Sequence, residues 1–189
     1  MDIETVRLPR GTWPSQKVTE SEEDYLTRIS TSALTAKIVC IGLAEGEGEV
    51  QALIGDEGAM LELWWKVLQG PRGIMPRWKF VGHNILDFDL RFIVQRSILL
   101  GIRPTYTIPF FRFKDDPVYD TMQEWTKWRG GVKLRDLAIA MGFPDPKGDI
   151  AGKDVHDAFE RGEIARISDY CRGDVETVRK VYKRMKFLS

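Results

Sequence analysis

The regular part of the chain opens on two short apolar runs. Residues 37–44 (KIVCIGLA) are β-branched and apolar, residues 50–54 form a second run, and the acidic, glycine-bearing stretch 45–49 between them predicts a hairpin turn. Residues 59–69 then carry apolar side chains at helical spacing. Residues 79–85 (KFVGHNI) read as another strand leading into a helical pattern over 88–100, which Gly101 stops. Residues 102–117 hold three prolines and four aromatics and predict a long loop. Helices are expected at 121–128, 134–141 and 153–161, with a long one over 163–186 and a short one around 21–29 inside an otherwise polar N-terminal stretch. Early strands followed by a helical second half predict a mixed α/β layer fold in one domain spanning residues 1–189.

Composition narrows the class. The chain has 189 residues, 43% hydrophobic and 30% charged, which excludes a disordered or fibrous protein. With 28 basic and 28 acidic residues the net charge is zero, which argues against a protein that grips polyanions by bulk charge. The neutrality hides an asymmetry: residues 1–70 hold 6 basic and 12 acidic residues, 71–135 hold 12 and 6, and 136–189 hold 10 of each. Cys40 and Cys171 lack paired spacing, so neither a disulfide framework nor a zinc site is indicated. No apolar run approaches the roughly 18 residues of a membrane span, and the acidic N-terminus does not read as a signal peptide, so a cytoplasmic protein is expected.

Three short segments carry candidate chemistry. Asp2-Ile3-Glu4-Thr5 places two carboxylates one residue apart, and in an extended segment they share a face while Ile3 turns away. Asn84-Ile85-Leu86-Asp87-Phe88-Asp89 lies where a strand leaves its sheet and a helix begins, so either Asp87 or Asp89 is also a natural N-cap. Tyr170 and Asp174 are four residues apart in the last helical pattern and share one face. Other features carry less. His83 and His156 are the only histidines, and Gly46-x-Gly48 lacks a third glycine and a following helix. Trp64, Trp65, Trp125 and Trp128 mostly sit at helical spacing and suit a core, although Trp125, Trp128, Lys127 and Arg129 could flank a nucleic-acid groove. Arg172, Arg179, Lys180, Lys183 and Arg184 suit a solvated helix face.

In this order the three segments resemble the DEDD superfamily of 3′-5′ exonucleases, the DnaQ-like fold. Asp2-Ile3-Glu4-Thr5 looks like the first motif, Asn84 to Asp89 like the second, and Tyr170 to Asp174 like the third. The histidine subclass would place His at position 169, which is Asp169 here, so the resemblance is to the tyrosine subclass. Connecting text, including Asp120-Thr121-Met122, is similar to the exonuclease domain of family-B DNA polymerases. The resemblance implies a ribonuclease-H-like fold with a mixed five-stranded sheet flanked by helices. It also implies hydrolysis from the 3′ end of single-stranded DNA, releasing 5′-mononucleotides.

Phosphodiester hydrolysis at neutral pH needs a hydroxide-like nucleophile and counter-charge, which two divalent cations roughly 3.5–4 Å apart supply. Oxygen ligands select hard ions, so Mg²⁺ or Mn²⁺ is implied. By the resemblance Asp2 bridges both ions, Glu4 and Asp174 complete the site of the attacking water, and Asp89 serves the second ion. Tyr170, a poor base with a reference pKa near 10, orients the water. Ile3, Thr5, Asn84 and Phe88 are implied to hold the 3′-terminal nucleotide, though Phe88 also suits core packing. An RNA exonuclease with the same site, and a non-catalytic nucleic-acid-binding module, are the alternatives. Only Met1 precedes Asp2, whereas the resemblance implies several apolar residues before it; the first strand is therefore expected to pair incompletely, with weaker metal binding if Met1 is the true start.

Overall fold

The structure, a computed structural model, describes residues 1–9, 11, 13–69, 77–145 and 150–188. Its elements run β1 (Asp2–Arg7), α1 (Glu22–Ser30), β2 (Ala36–Leu43), β3 (Gln51–Ile54), α2 (Glu57–Leu68), β4 (Phe80–Gly82), α3 (Asp89–Leu99), β5 (Val118–Asp120), α4 (Thr121–Thr126), α5 (Leu134–Ala140), a 3-10 turn (Gly152–Asp154), α6 (Val155–Glu160) and α7 (Ile164–Met185). The apolar patterns predicted nearly all of these. Two differences have local causes. The strand expected over 79–85 ends at Gly82, because Asn84 adopts a left-handed φ of 58° that turns the chain out of the sheet. β5 escaped the pattern because all three of its residues are buried, so no alternation marks it.

The strands do not form the single five-stranded sheet expected. β1, β2 and β3 make an antiparallel sheet, and β4 and β5 a separate parallel pair. The two approach at β1 and β4, where the Met1 N–H donates to the Val81 carbonyl at 2.7 Å. The ladder goes no further there. The next outward donor, the Ile3 N–H, lies past the end of the three-residue β4 and bonds the Asp89 Oδ1 at 2.9 Å. β4 is too short to carry the ladder on, and a site carboxylate satisfies the donor left open.

Helices cover both faces of the β1–β3 sheet. On one face Ile3, Ile38 and Ile41 pack with Leu61 and Trp65 of α2 and with Leu90 and Ile93 of α3; each such buried aliphatic side chain is worth about 1.5–3 kcal/mol. Trp65 donates its indole N–H to Ser97 Oγ at 2.8 Å, so the largest buried ring leaves no polar atom unsatisfied. On the other face Val6, Val39 and Cys40 meet Val155 and Ala158 of α6 and Ile167 and Cys171 of α7. A β-bulge re-aims β2. Glu4 pairs with Cys40 and Thr5 with Ile38, so Val39 is the extra residue. The bulge sends both Val39 and Cys40 toward α7, while Ile38 and Ile41 on either side point to the opposite core.

Two polar devices hold the layers in register. Arg96 of α3 forms a bidentate pair with Glu57 of α2 at 2.9 and 2.7 Å and donates to the Ala33 carbonyl, and Glu57 Oε1 also accepts the Ile38 N–H of β2. Asp120, at the end of β5, caps α4 by accepting from the N–H groups of Met122 and Gln123, and it also accepts from Asn84 and Leu86. That one carboxylate fixes the whole corner between β4 and α3. Among the described residues no helix is long and apolar enough to cross a membrane.

Candidate active site

Three elements deliver the side chains. β1 alternates, so Asp2 and Glu4 lie on the face toward α7 and Ile3 on the other. α7 presents Tyr170 and Asp174 on one face, one turn apart, and Tyr170 donates its hydroxyl to the Asp174 carboxylate. α7 lies this close to β2 because position 42, opposite Asp2 in the ladder, is glycine. A Cβ there would stand 2.8 Å from both Cys171 Sγ and Val175 Cγ2. Asp89 enters from the first turn of α3.

Neither expected N-cap holds. α3 begins without a side-chain cap bond. Asp87 instead pairs with Arg91 at 3.2 Å and accepts from Gln123, while Asp89, 2% exposed, reaches the Ile3 N–H. A buried carboxylate at a helix start that leaves the helix uncapped is aimed at something else.

Asp2, Glu4, Asp89 and Asp174 act on one another electrostatically, which places all four in one neighbourhood. Burial pushes the Asp2 carboxyl well above the usual range, and the charges of Asp89 and Asp174 push it further. Glu4 rises for the same reasons, burial first and then Asp2 and Asp174. Burial lifts Asp89 to about 7, its hydrogen bonds holding it back. Burial and the three nearby carboxylates Asp174, Glu4 and Asp2 push the Tyr170 phenol upward, so it stays protonated at any ordinary pH.

Sequence reasoning missed Cys171. Its Sγ lies 3.5 Å from Asp2 Oδ2, and ligand atoms of Asp2, Glu4 and Cys171 fall within 4.8 Å of one another, a cluster able to hold a metal ion. The thiol is pushed up by its hydrogen bond with Cys40 and by burial, and Cys171 donates S–H to the Asp2 carboxylate. Both cysteines are buried and free. No spacing signal could have paired residues 131 positions apart; the bulge and Gly42 bring them together.

The expected nucleotide contacts divide. Asn84 and Phe88 are half-buried at the β4–α3 corner, with Phe88 against Phe92 at 5.5 Å between centroids. Ile3 is buried and its N–H committed to Asp89, and the Thr5 hydroxyl donates to the Ser30 carbonyl at 2.9 Å, so these two brace β1. His83 bridges Thr121 Oγ1 and the Val132 carbonyl, a structural role. Trp64 and Trp65 are core as expected, whereas Trp125 is 51% exposed.

A mixed α/β architecture with a buried acidic cluster between sheet and helices is consistent with a 3′-5′ exonuclease domain. Residues 23–189 match the family described as predicted 3′-5′ exonuclease related to the exonuclease domain of PolB, and the chain belongs to this family. The matched segment contains Asn84 to Asp89 and Tyr170 to Asp174; Asp2 and Glu4 lie ahead of it. Comparison with curated proteins gives no match.

Proposed function

We propose that the protein is a metal-dependent 3′-5′ exonuclease that releases mononucleotides from single-stranded DNA. The observation that carries this reading is the convergence of Asp2, Glu4, Asp89 and Asp174 beside Tyr170. Desolvated carboxylates held against one another gain stability from a hard divalent cation, and Mg²⁺ or Mn²⁺ suits the oxygen donors of these four acids. When bound, two such cations activate water and offset charge on the reacting phosphate.

The residues divide the remaining work. Asp2, Glu4, Asp89 and Asp174 would hold the ions through their carboxylate oxygens. The Tyr170 hydroxyl, anchored on Asp174, positions the attacking water and moves no proton of its own. Asn84 and Phe88 receive the terminal nucleotide, while Ile3 and Thr5 keep β1 in place beneath it.

A 5′-labelled single strand incubated with Mn²⁺ or Mg²⁺ tests this. Stepwise shortening from the 3′ end is expected, at least about 100-fold slower in Asp174→Ala, the loss expected of a metal ligand. Tyr170→Phe should fold normally and lose about 10- to 100-fold, the range for a group that orients and does not ligate. Absence of shortening, or an undiminished rate in Asp174→Ala, overturns the proposal. A parallel RNA strand reports the substrate class, because discrimination rests on contacts to the 2′-hydroxyl.

A further inference from the structure

The loop 102–117 and the turn after α4 bring aromatic and basic side chains to one surface. Phe111 and Phe113 are 50% and 73% exposed, and Trp125 is 51% exposed. Such open aromatics, carried on the loop and on α4, which Phe113 and Trp128 bring together, are what an interaction surface uses. The Phe113 ring packs on Trp128 at 5.0 Å between centroids. Both residues have positive φ, 61° and 65°, as does Lys127 at 50°. At Lys127 the left-handed backbone ends α4, its N–H bonding the Gln123 carbonyl, and at Phe113 and Trp128 it is unfavourable for so bulky a residue.

Basic residues outnumber the acids around the rings, where Glu124 pairs with Lys127 at 3.0 Å, Asp115 with Lys186 at 3.1 Å and Asp116 with Arg77 at 3.1 Å. Arg112, Lys114, Lys127 and Arg129 are exposed, and Lys114 stands over the Phe111 ring at 4.6 Å. The patch is also continuous with the candidate active site. α4, which carries Trp125, is capped by the same Asp120 carboxylate that fixes Asn84 and Leu86, and Gln123 of α4 donates to Asp87. Beyond α4, the Val132 carbonyl meets His83. The surface that receives the terminal nucleotide and the aromatic patch therefore share one rigid support.

We propose that this patch is a stacking platform for single-stranded nucleic acid, which holds the strand several nucleotides upstream of the 3′ end. Bases stack on Phe111, Phe113 and Trp125, and Lys114, Lys127 and Arg112 meet the phosphates; such stacking is indifferent to sequence because every base offers a π-face. The inference rests on the proposed exonuclease reading for the polarity of the strand, and not for binding itself.

The test uses the full chain, 5′-fluorescein-labelled dT20 and dT4, and EDTA to prevent hydrolysis. Wild type should bind dT20 with quenching of tryptophan fluorescence, and Phe113→Ala combined with Trp125→Ala should raise its Kd at least about tenfold. Trp125→Ala alone, which removes no ring contact from Phe113, should weaken binding and the quench without affecting the fold. With Mn²⁺ present, the double variant should still hydrolyse dT4 at the wild-type rate while losing efficiency on dT20. A double variant that binds dT20 as tightly as wild type overturns the platform. So does a wild type that is dimeric where the double variant is monomeric, which would make the patch an interface between copies. A wild type that binds and quenches with dT20 but never shortens it retains the platform and removes the exonuclease.

Discussion

Asp2, Glu4 and Asp89 do opposite things with and without metal. Asp89 sits at about 7 against an ordinary 3.8, so between those values the folded chain keeps a proton that the unfolded chain has released. Stability from this group is therefore fully present below 3.8 and lost as pH rises through about 7. Asp2 and Glu4, also raised, add to the same trend. A bound divalent cation favours the ionised forms and reverses it. The melting temperature with Mn²⁺ should therefore exceed that with EDTA by a margin that widens from pH 5.5 to pH 8. Equal margins at the two pH values would show that these carboxylates are not the ligands.

Between elements, the decisive contact is the approach of α7 to β2. Gly42 permits it, and the bulge at Val39 turns Cys40 toward the same helix. Gly42→Ala adds a methyl group that would stand 2.8 Å from Cys171 Sγ and Val175 Cγ2, both on a packed helix that cannot yield cheaply. The expected cost is about 1–3 kcal/mol, measured by denaturant unfolding. The helix would move away from β1, so Tyr170 and Asp174 would retreat from Asp2 and Glu4, and the Mn²⁺-dependent gain in melting temperature should shrink as well. A variant as stable as wild type with full metal response would mean that α7 tolerates a wider spacing than the close packing suggests.

For the molecule as a whole, zero net charge does not preclude a nucleic-acid partner, because charge is segregated. The acids concentrate in the candidate site and in the first third of the chain, while the basic excess falls in residues 71–135, which include the aromatic loop and α4. Three or four phosphate contacts at exposed basic residues imply a slope of about −2 to −3 for log affinity against log salt on a single strand. Titration of dT20 from 50 to 400 mM KCl in EDTA checks this. A slope as steep as that of a strongly basic DNA-binding protein would require contacts well beyond the patch and the site.

Local pattern alone determined much of this protein. Alternation put Asp2 and Glu4 on one face of β1, the four-residue spacing put Tyr170 and Asp174 on one face of α7, and apolar periodicity located β2, β3, α2, α3 and α7. These are properties of a few consecutive residues, and backbone geometry of period 2 or 3.6 fixes them. What such geometry cannot encode is which face meets which. The meeting of Asp2 with Asp174, the entry of Cys171 beside Asp2, and the grip of Asp120 on Asn84 and Leu86 join residues 34 to 172 positions apart. Only packing decided them. The separation of the two sheets belongs there too: β4 is only three residues long, its contact with β1 stops at Met1 and Val81, and the Asp89 carboxylate accepts from the Ile3 N–H beyond it.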